Sequence, residues 1–144
     1  MTAQHILAAC AVFATFTFLS YSGLAQPAPK QFTICEDGDR RIDCVVDGDT
    51  FWMDGIKIRI ADIDAPETHP ARCASEQELG EAATYRLQDL LNAGPFDLVA
   101  IDRDEDVYGR KLRIVERDSQ SLGAELVNEG VARKWDGRRH PWCG

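Results

Sequence analysis

Residues 44–68 read CVVDGDTFWMDGIKIRIADIDAPET, and this stretch decides the fold. Asp54-Gly55 lies between two apolar runs, which is the strongest short-range signal for a β-hairpin. It predicts two strands, at residues 44–53 and 56–63, with a Gly turn inside the first. In the second strand the isoleucines share one face and the cations share the other, because side chains alternate along a strand: Ile56, Ile58 and Ile60, then Lys57 and Arg59.

Acidic residues occur at two bends of this stretch, residues 47–49 and 62–67. Each bend presents a carboxylate outward, Asp49 from the first and Asp64 from the second. Hard cations such as calcium prefer several carboxylate and carbonyl oxygens in a flexible arrangement. The pattern therefore predicts a Ca²⁺ site made by Asp49, Asp64 and the main-chain carbonyl of Ala65. We expect these ligands at the surface, where their replacement would leave the core intact.

Residues near these bends supply what phosphodiester hydrolysis requires, namely a positioned water and stabilisation of charge on the phosphate oxygens. Glu67 lies two residues beyond Ala65, close enough to orient or deprotonate a water. Arg59 and Arg110 can each form paired hydrogen bonds to phosphate oxygens through the planar guanidinium, which lysine cannot reproduce. The predicted catalytic residues are Arg59, Glu67 and Arg110.

The rest of the chain predicts two more strands, at residues 96–101 and 112–116, with an acidic solvated loop at 102–106 between them. A helix precedes them: Ser75 and Glu78 form a capping box, and Gly94-Pro95 ends the helix. Its apolar stripe consists of Leu79, Ala82, Ala83, Leu87, Leu90 and Leu91. A second helix is predicted at residues 122–128. Periodicity alone thus supports a small α+β domain.

Three segments carry a resemblance: VVDGDTF at 45–51, IRIADIDAPET at 58–68 and DVYGRKL at 106–112. In this order and spacing they resemble the staphylococcal-nuclease-like, or thermonuclease, family. The resemblance implies an OB-type five-stranded Greek-key β-barrel with two or three helices. It also implies the metal and catalytic roles given above, with Tyr108 as a substrate-binding residue. Two positions depart from the family pattern: Ala65 stands where Thr is frequent, and Val107 where Lys often precedes the Tyr.

The N-terminal region reads as an export signal. An apolar run at residues 6–19 is followed by small residues suited to cleavage after Ala25. We expect a signal peptide at 1–25, a Pro-containing linker at 26–31 and a nuclease-like OB-fold domain at 32–144. No Lys or Arg precedes the apolar run, so a retained membrane anchor is the alternative. With cleavage, we expect an exported protein, periplasmic or secreted, without stable membrane association.

Cleavage would remove Cys10 and leave four of the five cysteines, which allow three pairings. Export favours disulfides. Cys35 and Cys44 flank a turn-rich stretch, which favours a short hairpin link and leaves Cys73 to pair with Cys143. Structural zinc is the alternative, because His69 with Cys73 and His140 with Cys143 have a spacing compatible with a tetrahedral site.

The formal net charge of −8 is unusual for a protein that binds a polyanion. The cations, however, concentrate near the predicted site and the C-terminus: Arg110, Lys111, Arg113, Arg117, Arg133, Lys134, Arg138 and Arg139. We therefore expect weak, salt-sensitive binding of nucleic acid, with the metal offsetting much of the repulsion.

Together these features predict an exported, calcium-dependent nuclease, a monomer that hydrolyses phosphodiester bonds of DNA with little sequence preference. RNA is left open as a further substrate. The main alternative is a noncatalytic OB-type module that binds single strands or proteins. A third reading is a phosphodiesterase that acts on another substrate.

Overall fold

The computed structural model of the chain describes residues 30–38 and 40–144. The expected signal peptide at 1–25 and most of the expected linker lie outside the described residues. Within the described ranges, no helix is both long enough and apolar enough to cross a membrane.

Nine strands and two helices form in the described part of the chain. They are β1 (Thr33–Ile34), β2 (Cys44–Asp47), β3 (Thr50–Met53), β4 (Ile56–Ile60), β5 (Ile63–Asp64), α1 (Ala74–Asn92), β6 (Asp97–Glu105), β7 (Lys111–Arg117), β8 (Gln120–Ser121), α2 (Leu122–Asn128) and β9 (Arg133–Lys134).

The main sheet has the strand order β1-β2-β3-β4-β7-β6, with β8 pairing β7. Strands β2, β3 and β4 form an antiparallel meander, whereas β4 pairs with β7 in parallel across the α1 crossover. Five longer strands in this order, with two helices, make the OB-type α+β fold that the resemblance implied. A separate antiparallel pair, β5 with β9, brings Arg133 opposite Asp64. The C-terminal segment therefore starts beside the second acidic bend.

Aromatic residues fill the centre of the core. Phe32, Phe51 and Phe96 have ring centroids 5.8 to 6.3 Å apart, and two of the three ring pairs are edge-on, an arrangement that aromatic rings prefer. Helix α1 packs its buried leucines against this core, whereas Ala82, which we assigned to the same stripe, is exposed.

Gly48 allows α1 to approach the first acidic bend. A Cβ at this position would lie 2.4 Å from the Cβ of Ala83 and 2.8 Å from the Cβ of Ala65. Both distances are far shorter than any normal carbon contact. The bend between β2 and β3 is thus held between the helix and the chain that follows β5, which fixes the backbone on either side of Asp49.

The predicted capping box is wrong. Helix α1 begins two residues earlier than that prediction requires, and its N-cap, Cys73, makes no side-chain capping bond. Glu76, three residues after the N-cap, accepts through Oε2 from the backbone N–H of Arg72 at 2.7 Å. The Glu76 carboxylate therefore holds the residue before the N-cap, whereas a capping box would place this bond on the N-cap itself.

The predicted acidic loop at 102–106 is also wrong over most of its length. Strand β6 continues through Glu105, with an irregular register between Ala100 and Glu105. The acidic side chains are neutralised across the hairpin, because Asp104 pairs with Lys111 at 2.6 Å and with Arg113 at 2.7 Å. Cross-strand charge pairing of this kind offsets the low strand preference of acidic residues.

The two expected disulfides are confirmed. Cys35 is bonded to Cys44 with a Cα–Cα distance of 5.0 Å, and Cys73 to Cys143 with 6.1 Å, both ordinary values for a disulfide. The zinc alternative is wrong, because the sulfurs that it needs are bonded to one another.

Candidate active site

Asp49 and Asp64 both form an ion pair with the same guanidinium nitrogen of Arg59. Arg59 Nη2 is 3.3 Å from Asp49 Oδ2 and 3.8 Å from Asp64 Oδ1. Asp49 is 2% exposed, Asp64 4% and Arg59 6%, so the expectation that the ligands lie at the surface is wrong. The other terminal nitrogen, Arg59 Nη1, donates to the carbonyls of Ile60 and Ile63. Arg59 therefore reduces the repulsion between two buried carboxylates, each of which would otherwise be costly.

The Asp49 carboxylate is fixed by its own loop and by the second bend. Its Oδ1 accepts from the Thr50 hydroxyl at 2.7 Å, and its Oδ2 accepts from the Ala65 N–H at 3.2 Å. The Ala65 N–H thus ties the second bend to Asp49, and the Ala65 carbonyl is the main-chain atom of this residue that can ligate a cation.

Asp47 shapes the first bend, as its sequence position suggests. Its Oδ1 accepts from the Asp49 N–H at 3.1 Å, which is typical of an Asp that stabilises a turn. Burial, together with the nearby charge of Asp49, raises the pKa of Asp47 to about 7. Asp47 therefore ionises less readily than an ordinary Asp, as expected for a carboxyl group buried beside a second one.

Asp64 carries an oxygen without a hydrogen-bond partner. Its Oδ1 is buried, and the nearest guanidinium nitrogens, on Arg139 and Arg59, are 3.6 and 3.8 Å away, beyond normal hydrogen-bond length. Burial and the charge of Asp49 raise the pKa of Asp64, although the charges of Arg139 and Arg59 and a weak interaction with the Trp142 side chain oppose that shift. A buried carboxylate oxygen that lacks a donor, beside a second carboxylate, fits the donor set of a divalent cation.

Arg110 approaches the same site from the loop between β6 and β7. Asp106 holds it, accepting from Arg110 Nε at 2.6 Å and from the Arg110 backbone N–H at 3.0 Å. Its Nη1 lies 3.4 Å from Thr50 Oγ1, so Thr50 connects Arg110 to Asp49. Tyr108 is 81% exposed, with the Arg110 guanidinium 5.5 Å from its ring centroid.

Glu67 is half-buried and forms an ion pair through Oε1 with Arg139 Nη1. Arg139 belongs to the C-terminal segment, which also supplies Trp135. The guanidinium of Arg59 lies 5.1 Å from the Trp135 ring centroid. The C-terminal segment therefore covers the side of Arg59 that faces away from the isoleucine face of β4.

These residues border an open cleft of about 860 Å³. Five of its lining residues are cations and two are acids: Lys57, Arg59, Arg103, Arg110 and Arg139, against Glu67 and Asp106. Although the chain as a whole is acidic, this cleft is basic. A positive charge is what a polyanionic ligand requires. Asp49 and Asp64 are not among the lining residues, but both form ion pairs with Arg59, which is.

The structure brings together the predicted catalytic and metal-ligating residues. Tyr108, the predicted substrate-binding residue, lines the same cleft with its ring exposed. The sequence reasoning missed the roles of Thr50, Asp106, Trp135 and Arg139. For Arg139 a signal existed: the expected link between Cys73 and Cys143 already placed the chain end near the second acidic bend. A bond across 70 residues therefore identifies neighbours that the local sequence does not.

Comparison with known proteins agrees with this geometry. The profile of the family described as "Staphylococcal nuclease homologue" matches residues 57–141. Endonuclease YhcR of Bacillus subtilis is 34% identical over 118 residues, which cover 74% of this chain and 10% of that protein. An uncharacterized endonuclease of Haemophilus influenzae is 31% identical over 97 residues, covering 64% of this chain and 49% of the relative.

Micrococcal nuclease of Shigella flexneri is 33% identical over 101 residues, which cover 61% of this chain and 53% of that protein. The chain thus spans about half the length of two of these relatives and a tenth of the third. The family profile covers more than half of the chain, including Arg59, Asp64, Glu67 and Arg110. The chain therefore belongs to the staphylococcal nuclease homologue family.

Proposed function

We propose that this chain is a calcium-dependent nuclease that hydrolyses phosphodiester bonds of DNA, with RNA as a further substrate. The observation that carries the proposal is the buried Oδ1 of Asp64, which has two ion pairs but no hydrogen bond, beside Asp49 at the edge of a basic cleft. Paired buried carboxylates attract a cation, and the surrounding arginines attract phosphate. Family membership and the names of the relatives support the same activity.

Asp49, Asp64 and the Ala65 carbonyl would hold the cation. All three donors are oxygens, the ligand type that calcium prefers. When bound, Ca²⁺ supplies positive charge that stabilises the phosphate oxygens and makes a nearby water more acidic.

The side chains of the cleft supply the remaining contributions. Glu67 orients the attacking water and accepts its proton, once its carboxylate leaves the ion pair with Arg139. Arg110, held by Asp106, aims its free guanidinium edge at the phosphate. Arg59 pairs with both carboxylates in this structure. A cation held by Asp49 and Asp64 would neutralise them in its place, and the Arg59 guanidinium could then bind phosphate.

The lining of the cleft favours contacts with the nucleic-acid backbone. Its cations bind phosphate, and backbone contacts carry no sequence information. The exposed Tyr108 offers a ring on which any base can stack. Little sequence preference and strong salt sensitivity follow from these contacts.

We further propose that the protein is exported as a monomer to the periplasm or the medium, without stable membrane association after signal cleavage. The two disulfides support this location, because such bonds persist in oxidising compartments.

A cleavage assay with the oxidised chain tests the enzyme proposal. We expect single-stranded and duplex DNA to be cut with calcium and to survive with chelator. Asp64→Asn should bind calcium at least roughly tenfold more weakly, because it replaces a charged hard ligand by a neutral one of the same shape. Tight binding of single strands without any cleavage would contradict the enzyme proposal and favour the noncatalytic binding module.

A further inference from the structure

Arg139 is a cation of the cleft that the sequence patterns do not assign. It forms an ion pair with Glu67 and lies 3.6 Å from Asp64 Oδ1, yet its side chain is 42% exposed. One face of the guanidinium thus meets the acidic site while the rest is open to the cleft. An arginine in this position can bind an anion without first leaving a buried environment.

The C-terminal segment that carries Arg139, residues 135–143, is anchored at both ends. At its start, the Trp135 N–H donates to the Asp62 carbonyl at 2.8 Å, and the Trp135 ring packs on Arg59. At its end, Cys143 is bonded to Cys73. Arg133 joins the two ends, since it donates to the Pro141 carbonyl at 2.9 Å and stacks on Trp142 at 3.6 Å. Arg139 is therefore held at the cleft by the fold.

The partners of Arg139 are the two carboxylates that the proposed reaction needs for other purposes. Asp64 is proposed to bind a cation and Glu67 to bind water. A cation on Asp64 would repel the Arg139 guanidinium from that side. The attraction that remains is toward phosphate, with Lys57 and Arg103 along the same cleft.

We propose that Arg139 is a further substrate-binding residue, which holds a phosphate of the nucleic-acid backbone beside the one being cleaved, and that the Cys73–Cys143 disulfide sets its position. The inference rests on the proposed function for the identity of the ligand. Arg139 contributes to binding of the strand, whereas Glu67 and Arg110 act on the scissile phosphate.

Arg139→Ala tests this proposal, with Arg138→Ala as the matched control. Arg138 carries the same charge at the neighbouring position, but it is not among the described residues that line the cleft. We expect Arg139→Ala to raise KM for DNA roughly tenfold and to change kcat less than about threefold, since it removes a contact made equally in ground and transition states. Arg139→Lys should keep part of the binding, and Arg138→Ala should resemble the parent.

Binding of a fluorescent single-stranded oligonucleotide with a cleavage-resistant phosphorothioate backbone, measured in calcium, provides a readout independent of cleavage. Arg139→Ala should weaken this binding and reduce the slope of log affinity against log salt by about 0.7, the value for one lost phosphate contact to a single strand. The double variant Cys73→Ser/Cys143→Ser should weaken binding in the same way, and adding Arg139→Ala to it should have no further effect. Circular dichroism confirms that each variant is folded.

The outcomes are distinct. An Arg139→Ala variant that binds the oligonucleotide like the parent would overturn the proposal. A variant that cleaves faster and binds calcium more tightly would also overturn it, because Arg139 would then be an autoinhibitory contact. Full additivity of the serine and alanine changes would overturn the role of the disulfide. A parent that never cleaves, but whose strand binding depends on Arg139, would support this inference and refute the nuclease.

Discussion

At the scale of single residues, Arg59 has the most demanding environment in the site. It is almost fully buried, and it connects Asp49, Asp64 and two main-chain carbonyls. The sequence placed it on the polar face of a strand, which is usually solvated. Here that face is covered by Trp135, so the charge is buried and must be neutralised locally.

We therefore expect Arg59→Met to destabilise the protein by about 3 kcal/mol without calcium, because it leaves two buried carboxylates without their cation. Urea unfolding in chelator measures this change. Calcium should restore part of the lost stability, since it supplies positive charge at the same carboxylates. Lys57→Met, on the same face of β4, is the control and should cost less than about 1 kcal/mol. An equal loss in both variants, unaffected by calcium, would refute this account of Arg59.

At the scale of secondary-structure elements, two contacts of α1 position the site. The middle of the helix packs on Gly48, which fixes the first acidic bend. Its N-terminus is tied to the C-terminal segment through Cys73. The helix thus connects the first acidic bend to the segment that carries Arg139.

Gly48→Ala tests the first contact. The added methyl group would overlap Ala83, so we expect a loss of about 1–3 kcal/mol in stability and weaker calcium binding as the bend moves. Ala83→Gly alone should cost about 1 kcal/mol through helix propensity. Combined with Gly48→Ala, it should cost less than the sum, because it removes the overlapping atom. Denaturant unfolding of the four proteins gives the coupling energy, and strict additivity would rule out the close approach as the cause.

Glu76 provides a pH-dependent test at the helix N-terminus. Hydrogen bonds from the Arg72 side chain lower the pKa of Glu76 below its usual 4.5. A carboxylate whose pKa is lower in the folded state stabilises the fold above the unfolded pKa and loses that effect as pH falls through the folded value. Glu76→Gln should therefore unfold at a lower temperature than the parent at pH 7, with the difference shrinking below pH 4.5. A difference that stays constant from pH 7 to pH 3 would show that charge is not involved.

At the scale of the whole molecule, the sequence predicted the arrangement of strands, helices and disulfides better than the burial of the site residues. The hairpin at Asp54-Gly55, the second helix and both disulfides were predictable, because turn chemistry, apolar spacing and cysteine count are local or combinatorial signals. The burial of Asp49 and Asp64 was not. It depends on how α1 and the C-terminal segment pack around the bends, which no local pattern encodes.

The same limitation explains the roles that were missed. The negative net charge suggested weak binding of nucleic acid, yet the fold brings five cationic side chains together in one cleft. Acidic residues such as Asp104 are neutralised by ion pairs within the β6–β7 hairpin. Arg139 reaches that cleft only through a disulfide and a two-stranded pairing distant in sequence. Sequence reasoning named the candidate residues, whereas long-range contacts determine how they are buried and which charges surround them.

Single-turnover cleavage by Glu67→Gln, measured beside DNA binding at saturating calcium, tests whether Glu67 acts on the reaction and not on DNA binding. Glutamine keeps the shape of the side chain but cannot accept a proton. The account predicts binding within a few-fold of the parent and cleavage at least ~100-fold slower, with Arg110→Ala behaving alike through loss of transition-state charge stabilisation. Parent-like cleavage by Glu67→Gln, or a loss of rate matched by an equal loss of binding, would contradict it.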